Sequence, residues 1–251
     1  MIHVKSEEEI ELLREPCAIV GNCLKFVGER IKAGMTTKEV DTLVYDYIKA
    51  SGAEPSCLGY YGYPASACVS VNEVVVHGIP DDRVLEEGDI VSVDIVAYKN
   101  GFHGDAARTF CIGEVSEEKK KLVRVTEECF WKGVEGLKAG TPLYDISYRV
   151  QQHAEGNGFS VIRSYTGHGI GREMHEDPSV PNFGRRGTGV RLQAGTVICV
   201  EPMIAAGTWK VKVLPDGWTA VTADKKSASH YENTLVIRED GIEILTLGSE
   251  K

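Results

Sequence analysis

The feature that most constrains this chain is a partial internal repeat. Ile31-Lys32-Ala33-Gly34 recurs as Leu137-Lys138-Ala139-Gly140, and His77-Gly78-Ile79 recurs as His168-Gly169-Ile170. Leu85-x-x-Gly88-x5-Asp94 recurs as Leu192-x-x-Gly195-x5-Glu201. The first pair is offset by 106 residues (137 − 31) and the third by 107 (192 − 85). The middle pair is offset by only 91 (168 − 77), because 16 extra residues separate His168 from Leu192, among them His175. Three matches in one order imply two related halves, approximately 1–113 and 114–251. A chain of 251 residues holds them as one domain.

The local signals repeat in the same order, helices before strands. Ser6-Glu7-Glu8-Glu9 is a capping box that predicts a helix to about residue 30, kinked or split by Pro16. Thr36-x-x-Glu39 predicts a second helix, ending near Ser51-Gly52. Strands are predicted at 69–76 and 90–98, with a hairpin turn at Asn100-Gly101 and a return strand at 108–112. Ser116 predicts a helix to about 138, and Thr141-Pro142 caps a fourth that ends near Gly156-Asn157-Gly158. Further strands are predicted at 159–163, 196–203, 230–237 and 242–247. Hairpins imply antiparallel pairing, so the class is α+β.

Each half carries a His and then a carboxylate: His77 and Asp94, His168 and Glu201. Asp94 and Glu201 sit inside apolar strand segments. Asp105 lies just past the hairpin turn and is expected back opposite Asp94, and Glu232 opens a late strand. Acids are rarely buried unless they are paired or bound to metal. Four crowded carboxylates repel, and divalent cations offset that repulsion. Carboxylate oxygens with an imidazole suit a pair of Mn, Fe, Co or Zn ions. No Gly-x-Ser-x-Gly elbow, phosphate-binding glycine loop or His-Glu-x-x-His helix is present.

At these residues the chain resembles the type I methionine aminopeptidases over nearly its whole length. The resemblance is carried by Tyr165-Thr166-Gly167-His168-Gly169-Ile170-Gly171-x-x-x-His175, His77-Gly78-Ile79-Pro80, Asp94, Gly101-Phe102-His103-Gly104-Asp105, Glu201-Pro202 and Tyr231-Glu232. It implies the pita-bread fold, with two pseudo-symmetric halves and a curved, mostly antiparallel sheet flanked by helices. It also implies five metal ligands, Asp94, Asp105, His168, Glu201 and Glu232. Asp105 and Glu232 would bridge two divalent ions, Asp94 would serve one, and His168 with Glu201 the other. A bridging water would be the nucleophile, with Glu201 moving its proton and with His77 and His175 holding the substrate backbone and the developing oxyanion. Cys57, Tyr60, Tyr63, Cys68, Met174 and Trp218 match the family's methionine pocket, Met174 standing where relatives often carry an aromatic. Only 76 residues precede His77, too few for the additional N-terminal domain of prolidases, and no large insertion of the type II enzymes fits between His175 and Glu201.

The implied activity is removal of the initiator methionine from nascent chains whose second residue is small. A proline-directed aminopeptidase and a catalytically inactive binding module are the alternatives. The formal net charge of −9 argues against nucleic acid as a partner. The polar N-terminus has no signal-peptide core, and the seven cysteines are scattered without a Cys-x-x-Cys pair. These features predict a cytoplasmic protein with reduced thiols and no membrane association, and the resemblance implies a monomer that acts on nascent polypeptide N-termini with at most transient ribosome contact.

Overall fold

The computed structural model describes residues 2–248; Met1 and 249–251, at the two ends of the expected domain, lie outside the described residues. The first half contains α1 (Glu7–Gly28), α2 (Thr37–Ala50), β1 (Glu54–Pro55), β2 (Ala67–Val71), β3 (Val74–Val76), β4 (Ile90–Lys99) and β5 (Phe102–Cys111). The second contains α3 (Glu117–Val134), α4 (Tyr144–Gly156), β6 (Ser160–Val161), β7 (Thr166–Gly169), β8 (Glu176–Pro181), β9 (Val197–Val200) and β10 (Met203–Ala205). It continues with β11 (Val211–Val213), β12 (Ala220–Thr222), β13 (Ala228–His230), β14 (Glu232–Ile237) and β15 (Ile242–Ile244).

The main sheet runs β1-β4-β5-β14-β9-β7-β8, with β2 also on β4 and β15 also on β14. Its centre is the antiparallel pair β5–β14, one strand from each half. On either side β4 is paired with β2, and β9 with β7, so the strand order mirrors about that centre. Each helix pair covers its own core. Val20, Val27, Val40, Val44 and Ile48 pack on β2, β4 and β5, while Leu122, Phe130, Ile146 and Val150 pack on β9 and β14.

Both capping boxes form: Ser6 with Glu9 and Thr36 with Glu39 each satisfy two orphan N–H groups. Helix α1 runs through Pro16 without being split. The missing hydrogen bond costs roughly 3 kcal/mol. Ile10, Leu13, Cys17, Val20 and Val27 on one face are wholly buried. At about 1.5–3 kcal/mol for each large side chain, that face outweighs the loss. The helix lies so close to β5 that a Cβ on Gly104 would stand 2.5 Å from the Cys17 nitrogen.

Several predicted strands are broken where the chain needs a corner. The 69–76 segment becomes β2 and β3 because Asn72 takes φ 53°. The 196–203 segment breaks at Glu201-Pro202, and 230–237 breaks at Tyr231. The short, Gly- and Pro-containing β7 and β8 carry no strand-like apolar run, and they, like β11 and β12, lie outside the predicted strands. Thr141 does not cap α4: its hydroxyl accepts the Lys138 N–H instead, and the helix opens after Leu143 with no side-chain cap.

Candidate active site

The row of residues that crosses the central strands builds the site. Asp94 on β4 pairs with Ala107 on β5, and Ala107 pairs with Glu232 on β14. The small Ala107 lets the two carboxylates on either side stand over one spot. The Asn100-Gly101 turn, with φ 55° and 84°, sets this register. Asp105 pairs with Val96 rather than Asp94, so it lies diagonal to Asp94, on the same face. Glu201 leaves the end of β9, its carbonyl held by Asn182 Nδ2 at 2.9 Å. Arg108 donates to the carbonyl of Glu232 and to Asn233 Oδ1, at 2.5 and 2.7 Å, and fixes the β13–β14 corner.

His168 comes from β7, squeezed between β8 and β9. A Cβ on Gly167 would lie 2.3 Å from the Cys199 carbonyl oxygen, and one on Gly169 would lie 2.1 Å from that of Asp177. The Gly-His-Gly spelling is the condition for this close approach. His168 Nδ1 donates to the Gly169 carbonyl at 2.9 Å, since a carbonyl only accepts. Its Nε2 lone pair is therefore left facing Glu201 Oε1 at 3.5 Å and Asp105 Oδ2 at 3.7 Å.

These groups surround a cavity of about 320 Å³. Its lining includes Asp94, Asp105, His168, Glu201 and Glu232 on the carboxylate side. His77 and His175 stand beside them, and Cys57, Tyr60, Tyr63, Cys68, Met174 and Trp218 form the apolar side. Cys57, Tyr63, Cys68 and Met174 are a buried cluster against which Tyr60 and Trp218 pack. Tyr63 stacks edge-on to Trp218 at 5.2 Å, and its hydroxyl donates to the Gly78 carbonyl at 2.9 Å, next to His77. His77 is held in left-handed backbone (φ 59°) after β3, whereas its repeat partner His168 lies within a strand. The middle match of the repeat thus joins two differently placed histidines. His175 Nδ1 shares a hydrogen bond of 2.8 Å with the Tyr60 hydroxyl.

The lining also contains His230 and Met203, to which the sequence assigns no site role, and Tyr165 and Thr166 from the motif that leads into His168. His230 opens the strand predicted over 230–237. Its spacing of two from Glu232 was the available signal.

Burial governs the electrostatics. It pushes the Asp94 carboxyl up to about 7. Asp105, Glu201 and Glu232 are held well above the usual carboxylate range by burial, reinforced by one another's charge. Burial also depresses His168 to about 3 and His77 to about 4, so both imidazoles are neutral near pH 7. Asp105 Oδ1, Glu232 Oε1 and His230 Nε2 are buried without a hydrogen-bond partner among the described residues. Two sets of ligand atoms lie within 4.8 Å of one another: Asp105, His168, Cys199 and Glu232, and Asp94, His230 and Glu232. Cys199 shares its hydrogen with Thr234 Oγ1, and burial pushes its thiol well above its ordinary range, so the donors are oxygen and nitrogen. Such a set fits divalent cations, which satisfy the orphaned oxygens and offset the repulsion.

Comparison with known proteins agrees with this chemistry. Residues 11–239 match the model of metallopeptidase family M24. A methionine aminopeptidase of Clostridium perfringens is 53% identical over 98% of this chain and 99% of that protein. The chain belongs to the methionine aminopeptidases of family M24. It is a metal-dependent hydrolase with the family's pita-bread fold. The crystal structure of methionine aminopeptidase from Rickettsia prowazekii matches with a TM-score of 0.97 at 40% identity, covering 98% of this chain and all of that one. Prolidase from Pyrococcus furiosus has a TM-score of 0.78 at 25% identity, covering 99% of this chain and 66% of that chain. Among the described residues of this M24 member, no helix is long and apolar enough to cross a membrane.

Proposed function

We propose that the cavity removes the N-terminal methionine from polypeptides whose second residue is small, with two divalent ions. The observation that carries this reading is the placement of His168 Nε2 between Glu201 and Asp105, at 3.5 and 3.7 Å, beside an apolar pocket in one cavity. Asp94, Asp105, His168, Glu201 and Glu232 would hold the ions; Glu232 belongs to both ligand sets, as a shared ligand must. When bound, the ions supply Lewis acidity and lower the pKa of a water.

The chain's own groups do the rest. Glu201 takes the proton of the attacking water and delivers it to the leaving amine. His175, oriented by Tyr60, and His77, oriented through the Tyr63–Gly78 hydrogen bond, hold the substrate backbone and stabilise the oxyanion. Cys57, Cys68, Tyr63, Met174 and Trp218 enclose an unbranched apolar side chain with a polarizable sulfur. Zn, Mn, Fe and Co all suit the donor set. The proposal extends to nascent chain N-termini as substrates, met by a monomer in the cytoplasm with at most transient ribosome contact. It also covers one catalytic domain whose halves join near 113/114.

Incubation with Met-Ala-x, Met-Lys-x and x-Pro-x peptides tests it. Release of methionine from Met-Ala-x alone supports the reading. Cleavage confined to x-Pro-x would instead favour a proline-directed enzyme.

A further inference from the structure

Of the four histidines that line the cavity, His230 is the one to which the proposed reaction gives no role. It is 2% exposed, and its Nε2 has no partner among the described residues. That nitrogen lies 3.8 Å from Glu232 Oε2 and 3.9 Å from Glu201 Oε2. Both distances exceed the hydrogen-bond range of about 2.7–3.2 Å. They are within the span open to two atoms bound to one ion, since each sits about 2.1 Å from it. The backbone beneath the ring is fixed: the Thr109 hydroxyl donates to the His230 carbonyl at 2.8 Å and accepts its N–H at 3.1 Å.

We propose that His230 is a sixth protein ligand of the cation site, giving its Nε2 to the ion on the Asp94 side. The proposal rests on the metallopeptidase reading and sharpens it. Asp94, His230 and Glu232 form one set of mutually close ligand atoms, and Asp105, His168 and Glu232 belong to the other. Each ion then has one imidazole and shared carboxylates. An ion so placed would give the orphaned His230 Nε2 its partner beside the Glu232 carboxylate, whose Oε1 is orphaned too. An imidazole on each ion shifts preference toward Zn, Co and Fe and away from Mn, which favours all-oxygen sites.

Proton NMR of the protein loaded with Co(II) reads the ligands directly, because the N–H of a coordinated imidazole is shifted far downfield and exchanges with solvent. Two such signals are expected in the wild-type protein, one lost in His168→Gln and the other in His230→Gln. Affinity for one of the two cobalt ions should fall tenfold or more in His230→Gln. A single signal, lost in His168→Gln and retained in His230→Gln, overturns the proposal while leaving the metallopeptidase reading intact. Absence of any shifted imidazole signal, with cobalt binding unaffected by Glu232→Gln, overturns both. The wild-type count decides the matter even where a variant fails to fold.

Discussion

The ammonium of Lys5 lies 2.5 Å from Glu176 Oε2, deep enough that the Lys5 side chain is 1% exposed and that of Glu176 13%. Glu176 also accepts the Glu173 N–H at 3.2 Å and immediately follows Met174 and His175. Lys5 is itself fastened, its N–H donating to the Gly195 carbonyl at 2.9 Å. An N-terminal residue thereby anchors the turn that presents two cavity side chains. Removing one member of such a buried pair strands the other charge at a cost of roughly 3 kcal/mol. For Lys5→Met that corresponds to a fall in Tm of roughly 10 °C, together with a lower kcat. Thermal unfolding and steady-state kinetics check this, and Lys5→Arg should recover part of both. An unchanged Tm would contradict the anchoring role.

The histidines should separate by what they lose. His168→Ala should weaken metal binding, because Nε2 faces Glu201 and Asp105. His77→Ala should keep its metal and lose turnover by about 10²-fold, the effect typical of one oxyanion donor. Metal counted by mass spectrometry alongside kinetics tells them apart; equal metal loss in both variants would refute the assignment.

Metal loading should depend on pH. Burial holds the Asp94 carboxyl near 7, so it carries a proton below that pH, and a cation needs the carboxylate. Acidification from pH 8 to pH 6 therefore opposes loading. His168, depressed to about 3, stays neutral across the window and adds no opposing term. Calorimetric titration should show severalfold weaker affinity at pH 6 and proton release on binding. Affinity that is flat across this range would count against the buried carboxylate set.

Met174 is 5% exposed and packs in the pocket cluster with Cys57, Tyr63 and Cys68. Met174→Ala should destabilise the protein by about 2–3 kcal/mol, as core truncations do, and enlarge the pocket. The ratio of Met-Ala-x to Phe-Ala-x cleavage should fall about tenfold, the worth of roughly 1.4 kcal/mol of discrimination. Competition assays on mixed peptides measure it, and an unchanged ratio would remove Met174 from the pocket wall.

How much of this was legible in the sequence depends on what each residue's neighbours are. The capping boxes at Ser6 and Thr36 and the Asn100-Gly101 hairpin are local, and they form as expected. The hairpin even carries the register: a two-residue turn pairs Lys99 with Phe102, hence Val96 with Asp105, which corrects the direct Asp94–Asp105 opposition. The unsplit passage through Pro16 depends on β5, whose Gly104 lies 88 residues further along the chain (104 − 16), and no local rule contains it. The role of the glycines beside His168 depends on strands β8 and β9 closing around them. His230 escaped because the break at Tyr231 moves it from the main sheet to the β13–β10 pair, while its side chain still reaches the carboxylates.

The most direct test of the central claim is turnover of a Met-Ala-x peptide while metal-free protein is titrated with Co(II) or Mn(II), bound ions being counted by native mass spectrometry. No methionine release is expected from the metal-free protein; release should rise as ions load to two per chain and be lost in Glu232→Gln together with the metal. Methionine release at full rate from protein shown to carry no ion would contradict that claim.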